Sequence, residues 1–244
     1  MKKRASILSR LRRMFILLVI ATAAFVGYNM FEPDIAILAK QNPTSTAFMK
    51  LTEERWAADG RKAKITRLWS PLGRISPYLV SAVVIAEDDR FFEHEGFDYN
   101  AIKEAIERDI KERKAKLGAS TISQQLVKNL WLSPSKNPLR KLREAVLTWR
   151  LERELSKRRI LEIYLNVVEW GDGIFGAEAA ARHYFGKSAA DLTSEEAARL
   201  AVVLPAPRRY DPTSDTRFIT ARWNAVHDIM VKRGIVELSD LPWD

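Results

Sequence analysis

A chain of 244 residues holds one sizeable domain with appendages. Its 47% hydrophobic and 29% charged content fits a globular protein, and the lack of cysteine removes disulfide, thiolate and Cys-zinc chemistry. The net charge of +9 is unevenly placed: Lys2, Lys3, Arg4, Arg10, Arg12 and Arg13 precede the first acid, Glu32, so the high pI argues little for nucleic acid.

Met14 to Phe31 carries no charge. At helical rise it spans about 27 Å, close to the hydrocarbon thickness of a bilayer. A cleaved signal peptide and a retained anchor compete for this segment. The run is long for a signal peptide, and Tyr28 and Phe31 suit an interfacial belt, so the anchor is the better reading. The basic stretch 1–13 then stays cytoplasmic, and residues beyond about 32 lie outside the inner membrane.

Residues 32–69 contain Pro33, Pro43 and Thr44-Ser45-Thr46 and read as a membrane-proximal linker, with a short helix near 45–58 and an extended stretch near 64–69. Ser76-Pro77 marks an N-cap followed by proline at the first helical position. The helix runs through Leu79, Val83, Val84 and Ala86 to Glu87. A charged amphipathic helix covers 98–113, with Ile102, Ala105, Ile106 and Ile110 at helical spacing. The basic run 111–117 is a solvated face that also suits anionic headgroups.

Thr121-x-x-Gln124 has the form of a capping box for the next helix. Further helices are expected over 138–155, over 157–169 (apolar on most sides and therefore central), from Thr193 to Leu204 before Pro205, and over 217–233 before Gly234. Strand signals are few. The class is mostly α, with a compact domain over 70–235 and a tail over 236–244.

The chemistry sits in separated blocks. Glu87 follows the apolar Ala82-Val83-Val84-Ile85-Ala86, where partial desolvation would raise its pKa and suit a proton acceptor. The stretch Glu87-Asp88-Asp89-Arg90-Phe91-Phe92-Glu93-His94-Glu95-Gly96 adds Arg90 as a phosphate contact. Phe91 and Phe92 are packing groups or sugar platforms. Gly118 through Asn129 offers Ser120, Thr121, Gln124, Gln125 and Asn129 as neutral hydrogen-bonding groups and Lys128 as a point charge. On a helix Gln124 and Lys128 share a face, as do Gln125 and Asn129. Arg140-Lys141-Leu142-Arg143-Glu144 supplies a second carboxylate, and as an exposed i,i+4 pair Arg140–Glu144 alone would be worth only about 0.3–0.5 kcal/mol. Two carboxylates with cations and amides between them are what sugar transfer from an anionic leaving group needs. His94, His183 and His227 are too widely spaced for a dedicated metal site.

These blocks resemble the motifs of the peptidoglycan glycosyltransferases. Glu87, Asp88, Phe91, His94 and Gly96 match E-D-x-x-F-x-x-H-x-G. Residues 118–129 match G-A-S-T-x-x-Q-Q-L-x-K-N, and residues 140–144 match R-K-x-x-E. Residues 160–171 match I-L-E-x-Y-L-N-x-x-x-x-G and are assigned mainly to structure, with Glu162 and Asn166 bracing the cleft. Arg222, Val226 and Met230 match a fifth block in which His227 stands where leucine is usual, a change expected to affect packing.

The resemblance covers about 70–235. It implies a lysozyme-like, mostly helical fold and polymerisation of cell-wall glycan. Glu87 would be the general base and Glu144 the second essential carboxylate. Three roles stay open for Glu144: orienting Lys128 and Arg140, holding a divalent cation, or stabilising charge at C1. Arg90, Phe91, Ser120, Thr121, Gln124, Gln125, Lys128, Asn129, Lys136 and Arg140 would bind sugar and pyrophosphate. Lys136 stands where the family often has arginine, and a lysine loses the bidentate geometry. No cofactor is required by this scheme, though Mg or Mn has a place at the pyrophosphate. The implied substrates are lipid II and glycan linked to undecaprenyl pyrophosphate, at the periplasmic face of a bacterial inner membrane. Whether other cell-wall synthesis or division proteins are partners is left open by the sequence, and no transpeptidase module is expected. A glycan-cleaving enzyme on a related fold and a non-catalytic scaffold are the rivals; the Gln-Gln-x-x-Lys-Asn block argues against the first and the paired glutamates against the second.

Overall fold

The computed structural model describes residues 2–62, 64–112, 118–133 and 137–236. Lys136, most of the basic run 111–117 and all but the first residue of the tail 236–244 lie outside the described residues. The chain is mostly α-helical, with ten α-helices and one small sheet among the described residues.

Helix α1 spans Lys2–Phe31. The expected basic tail is thus continuous with the apolar span, because a run of Lys, Arg, Ala, Leu, Ile and Ser without Gly or Pro has nothing to break a helix. Its segment Arg10–Asn29 is long and apolar enough to cross a membrane, and large apolar side chains from Leu11 to Ile20 stand exposed. The end of α1 meets helix α6 (Pro138–Glu154), where Arg150 donates to the carbonyls of Asn29 at 3.1 Å and Pro33 at 3.0 Å. A guanidinium there satisfies a carbonyl of the last turn and complements the negative end of the helix dipole.

Helix α2 covers Ala47–Ala58, capped by Thr46, within the short helix expected there. Helix α3 (Pro77–Glu87) starts with proline at N1, but the Ser76 hydroxyl donates to the Leu192 carbonyl at 2.9 Å instead of capping it. Leu79, Ala82 and Val83 are buried, and α3 packs on α9 (Ser194–Ala201) and α10 (Arg217–Lys232). Helix α4 is Tyr99–Glu112. Helix α5, Ile122–Trp131, opens with the complete Thr121–Gln124 capping box. Helix α7, Lys157–Val167, occupies the core: Ile160, Leu161, Ile163, Tyr164, Leu165 and Val167 are all buried. Truncating one such aliphatic side chain to alanine costs about 2–5 kcal/mol.

Strands β1 (Thr66–Arg67), β2 (Glu169–Gly171) and β3 (Ile174–Phe175) form a sheet in the order β1-β3-β2. Strand β3 is central: it pairs in parallel with β1, Thr66 opposite Ile174, and antiparallel with β2, where the register is irregular. Only the extended stretch at 64–69 is expected from sequence; its partner lies over a hundred residues away. Helix α8, Ala177–Phe185, is not foreseen at all. Its buried face is mostly alanine, which gives a weak apolar period. Helix α9 starts after Thr193 as expected, with a Thr193–Glu196 capping box, but stops at Ala201, with turns carrying the chain to Pro205. His227 on α10 hydrogen-bonds Ser194 at 3.1 Å and meets the Trp223 ring edge-on, so it ties α10 to α9.

Candidate active site

Glu87 is the last residue of α3, and the backbone of Asp88 leaves the helix. Asp88 serves two partners. Its Oδ2 accepts from the Ile122 backbone nitrogen at 2.9 Å, and its Oδ1 lies 2.9 Å from His94 Nε2. The Gly96 N–H donates to His94 Nδ1 at 3.1 Å, which fixes the proton on Nε2 and makes His94 a donor to Asp88. His94 is therefore a structural histidine. This network seats the start of α5 against the end of α3.

Gln125 then reaches Glu87, its Nε2 donating to Oε2 at 2.7 Å. Burial pushes the Glu87 carboxyl above its ordinary range. The Gln125 bond and the charges of Arg222 and Lys128 pull it back, and the neighbouring Asp88 adds to the rise. The net upward shift matches the expectation from sequence, for the same reason: desolvation of the charged form.

Two cavities flank this bond. One, of about 410 Å³, is lined by Glu87, Asp88, Asp89, Arg90, Ser120 and Thr121 among others. The second, of about 330 Å³, is lined by Gln125, Lys128, Asn129 and Arg140 together with Phe48, Glu169 and the loop at Pro205 and Pro207. Lys128 feels the charge of both acids. Burial lowers its pKa, Glu144 and Glu87 act against that, and Lys141 and Arg140 reinforce it. Glu144 is buried on α6, one oxygen accepting from Arg140 at 3.0 Å and the other from Lys141. Among the described residues no three acids or histidines cluster as metal ligands. Both Glu144 oxygens already meet cations, so the donor set does not fit a metal held by protein ligands alone.

Several residues assigned to substrate from sequence are committed to the fold. Thr121 donates to the Gly96 carbonyl at 2.7 Å, and the Gln124 side chain accepts from the Thr121 nitrogen, so both are buried in the capping box. Gln124 thus does not join Lys128 on the second cavity wall; Gln125 does. Arg90 forks onto Asp98 at 2.9 and 3.0 Å while lining the first cavity. Phe91 has no exposed surface to offer a sugar and packs under Lys157, whereas Phe92 is exposed. Ser120 is exposed at the first cavity, and Asn129 donates to the Gln125 carbonyl at 2.8 Å. Lys136 lies outside the described residues. Sequence reasoning passes over Lys141, one position from Arg140, and Tyr164, which it leaves within a structural block. Helical spacing signals Lys141, at i,i+3 from Glu144; nothing local signals Tyr164.

A helical fold that sets a half-buried carboxylate beside a cationic cavity is suited to an enzyme of the glycosyl-transferring class. Residues 54–231 match the family model described as Transglycosylase, and the chain belongs to that family. More particularly, it is similar to the biosynthetic peptidoglycan transglycosylase of Nitrosospira multiformis, 50% identical over 194 residues that cover 80% of this chain and 84% of the relative. The protein of the same name from Methylobacillus flagellatus is 52% identical over 178 residues, covering 73% and 78%. That from Azoarcus sp. is 54% identical over 170 residues, covering 70% and 74%.

Proposed function

We propose that this transglycosylase builds the glycan of peptidoglycan, moving a growing strand from undecaprenyl pyrophosphate onto the GlcNAc 4-hydroxyl of lipid II. The observation that carries this is the Glu87–Gln125 bond on the border between a carboxylate-lined cavity and a cationic one. The acceptor hydroxyl would sit in the first cavity, within reach of Glu87, and the donor pyrophosphate in the second.

As the acceptor oxygen attacks C1, Glu87 takes its proton. The bond from C1 to the pyrophosphate oxygen breaks, and the electron pair leaves with the pyrophosphate. Attack opposite the leaving group turns an α-linked donor into a β-1,4 product. Lys128 and Arg140 counter the leaving charge, which does the work of a general acid without a proton. The Arg140 and Lys141 contacts of Glu144 favour the first of its three open roles, orienting the cations. Both substrates carry lipid tails, and α1 would hold the domain at the outer face of the inner membrane with the basic residues inside.

The test is polymerisation of labelled lipid II by the detergent-solubilised full chain, with Glu87→Gln alongside. Long glycan from wild type and a loss of at least about 100-fold in the variant are expected. Degradation of finished strands without polymerisation would overturn the reading in favour of a lytic enzyme.

A further inference from the structure

We propose that Tyr164 is a positioning residue for this reaction, its buried hydroxyl holding the Gln125 side-chain amide in the orientation that turns the NH2 group onto Glu87. The proposal rests on the reading of Glu87 as general base.

Tyr164 donates to Gln125 Oε1 at 2.9 Å, and the other end of the same amide donates to Glu87 at 2.7 Å. Tyr164 is fully buried, on the central helix α7, which packs on α5. A side-chain amide has two ends of nearly equal shape and opposite polarity. Reversed, it would set the Oε1 lone pairs against the Glu87 carboxylate. A phenol donates more readily than it accepts, so Tyr164 selects the productive orientation. Donation into Oε1 also polarises the amide and strengthens the Nε2 bond to Glu87. Burial, with the charges of Glu87 and Asp88, pushes the phenol well above its ordinary range, so the hydroxyl keeps its proton. Tyr164 thereby favours the ionised form of Glu87, the form a base needs before the acceptor arrives.

The other groups facing Glu87 are Asp88 from the following loop, Lys128 from α5 and Arg222 from α10. Helix α9, also packed on α3, buries Ala197, Ala198, Leu200 and Ala201.

The experiment measures kcat/KM against pH for lipid II polymerisation by the full-length protein carrying Tyr164→Phe, Gln125→Met or both. A base must be ionised, so the acid limb marks its pKa. Loss of the donor should raise the limb in Tyr164→Phe by a few tenths of a pH unit to about one unit, with the alkaline limb unmoved. Gln125→Met should raise it likewise, and adding Tyr164→Phe to Gln125→Met should move it no further, because Tyr164 acts only through Gln125. A folded Tyr164→Phe whose acid limb matches wild type, or additive shifts in the double variant, would overturn the proposal and leave Tyr164 a packing residue. Should Tyr164→Phe fail to fold, a ring-fluorinated tyrosine at 164 keeps the hydroxyl and donates more strongly. It should lower the limb, and an unmoved limb would overturn the proposal. Failure of the underlying reading shows elsewhere: Glu87→Gln would keep its activity and the same acid limb.

Discussion

Asp88 Oδ2 lies 2.9 Å from the backbone nitrogen of Ile122, the first residue of α5, and its other oxygen accepts a hydrogen bond from His94 Nε2. The residue after the candidate base therefore fixes the helix that carries Gln125.

Asp88→Asn should be costly although nearly isosteric. An amide has one accepting end, and here two N–H groups need acceptors. Turning the His94 tautomer moves the conflict to the Gly96 N–H, which donates to Nδ1. One buried donor is left unsatisfied, at about 1–3 kcal/mol. Urea unfolding should show that loss, and polymerisation should fall with it as α5 loosens; an unchanged midpoint would contradict this account.

Glu144→Gln should abolish polymerisation while the helical circular dichroism persists. The variant removes the shared partner of Arg140 and Lys141 and the charge felt by Lys128. A fall in kcat of about 100-fold or more is expected, and Lys128→Met should lose a similar factor. Full activity in either variant would remove that residue from the assigned machinery.

Asp98 gives a pH-dependent contribution to stability. Burial pushes its carboxyl up, but the Ala101 N–H at 2.9 Å and the Arg90 fork more than offset that, and its pKa is lowered on balance. A lowered folded pKa means stability that is present above the unfolded pKa and lost as pH falls through the folded one. The gap in urea midpoint between wild type and Asp98→Asn should hold from neutrality down to about pH 4 and close on further acidification. A gap that widens in acid would have the wrong sign.

Gly173→Ala should destabilise the sheet. Gly173 has φ +80°, and an added Cβ would run into the Trp56 indole. The strained backbone and the displaced ring together should cost at least about 2 kcal/mol. Thermal melting followed by tryptophan fluorescence reads both effects, and a melt equal to wild type would show that the ring has room to move.

The sequence by itself determined what local chemistry can encode. The apolar run of α1, the capping box at Thr121, the helix start at Thr193, the proline that opens α3 and the partial desolvation of Glu87 behind it are all effects of neighbours within a few residues. Motif spacing likewise brings Lys128, Arg140 and Glu144 onto neighbouring helices. Only the tertiary structure decided which of two adjacent glutamines meets Glu87. Gln124 turns back to close its own helix cap, and Gln125, one residue and about 100° further round, faces the carboxylate. It also decided that Arg90 forks onto Asp98, that Phe91 is sealed in the core, and that β1 pairs with β3. Periodicity fixes which face of a helix is buried, but not which residue distant in the chain is buried against it, and so Tyr164 behind Gln125 comes into view only in the folded chain.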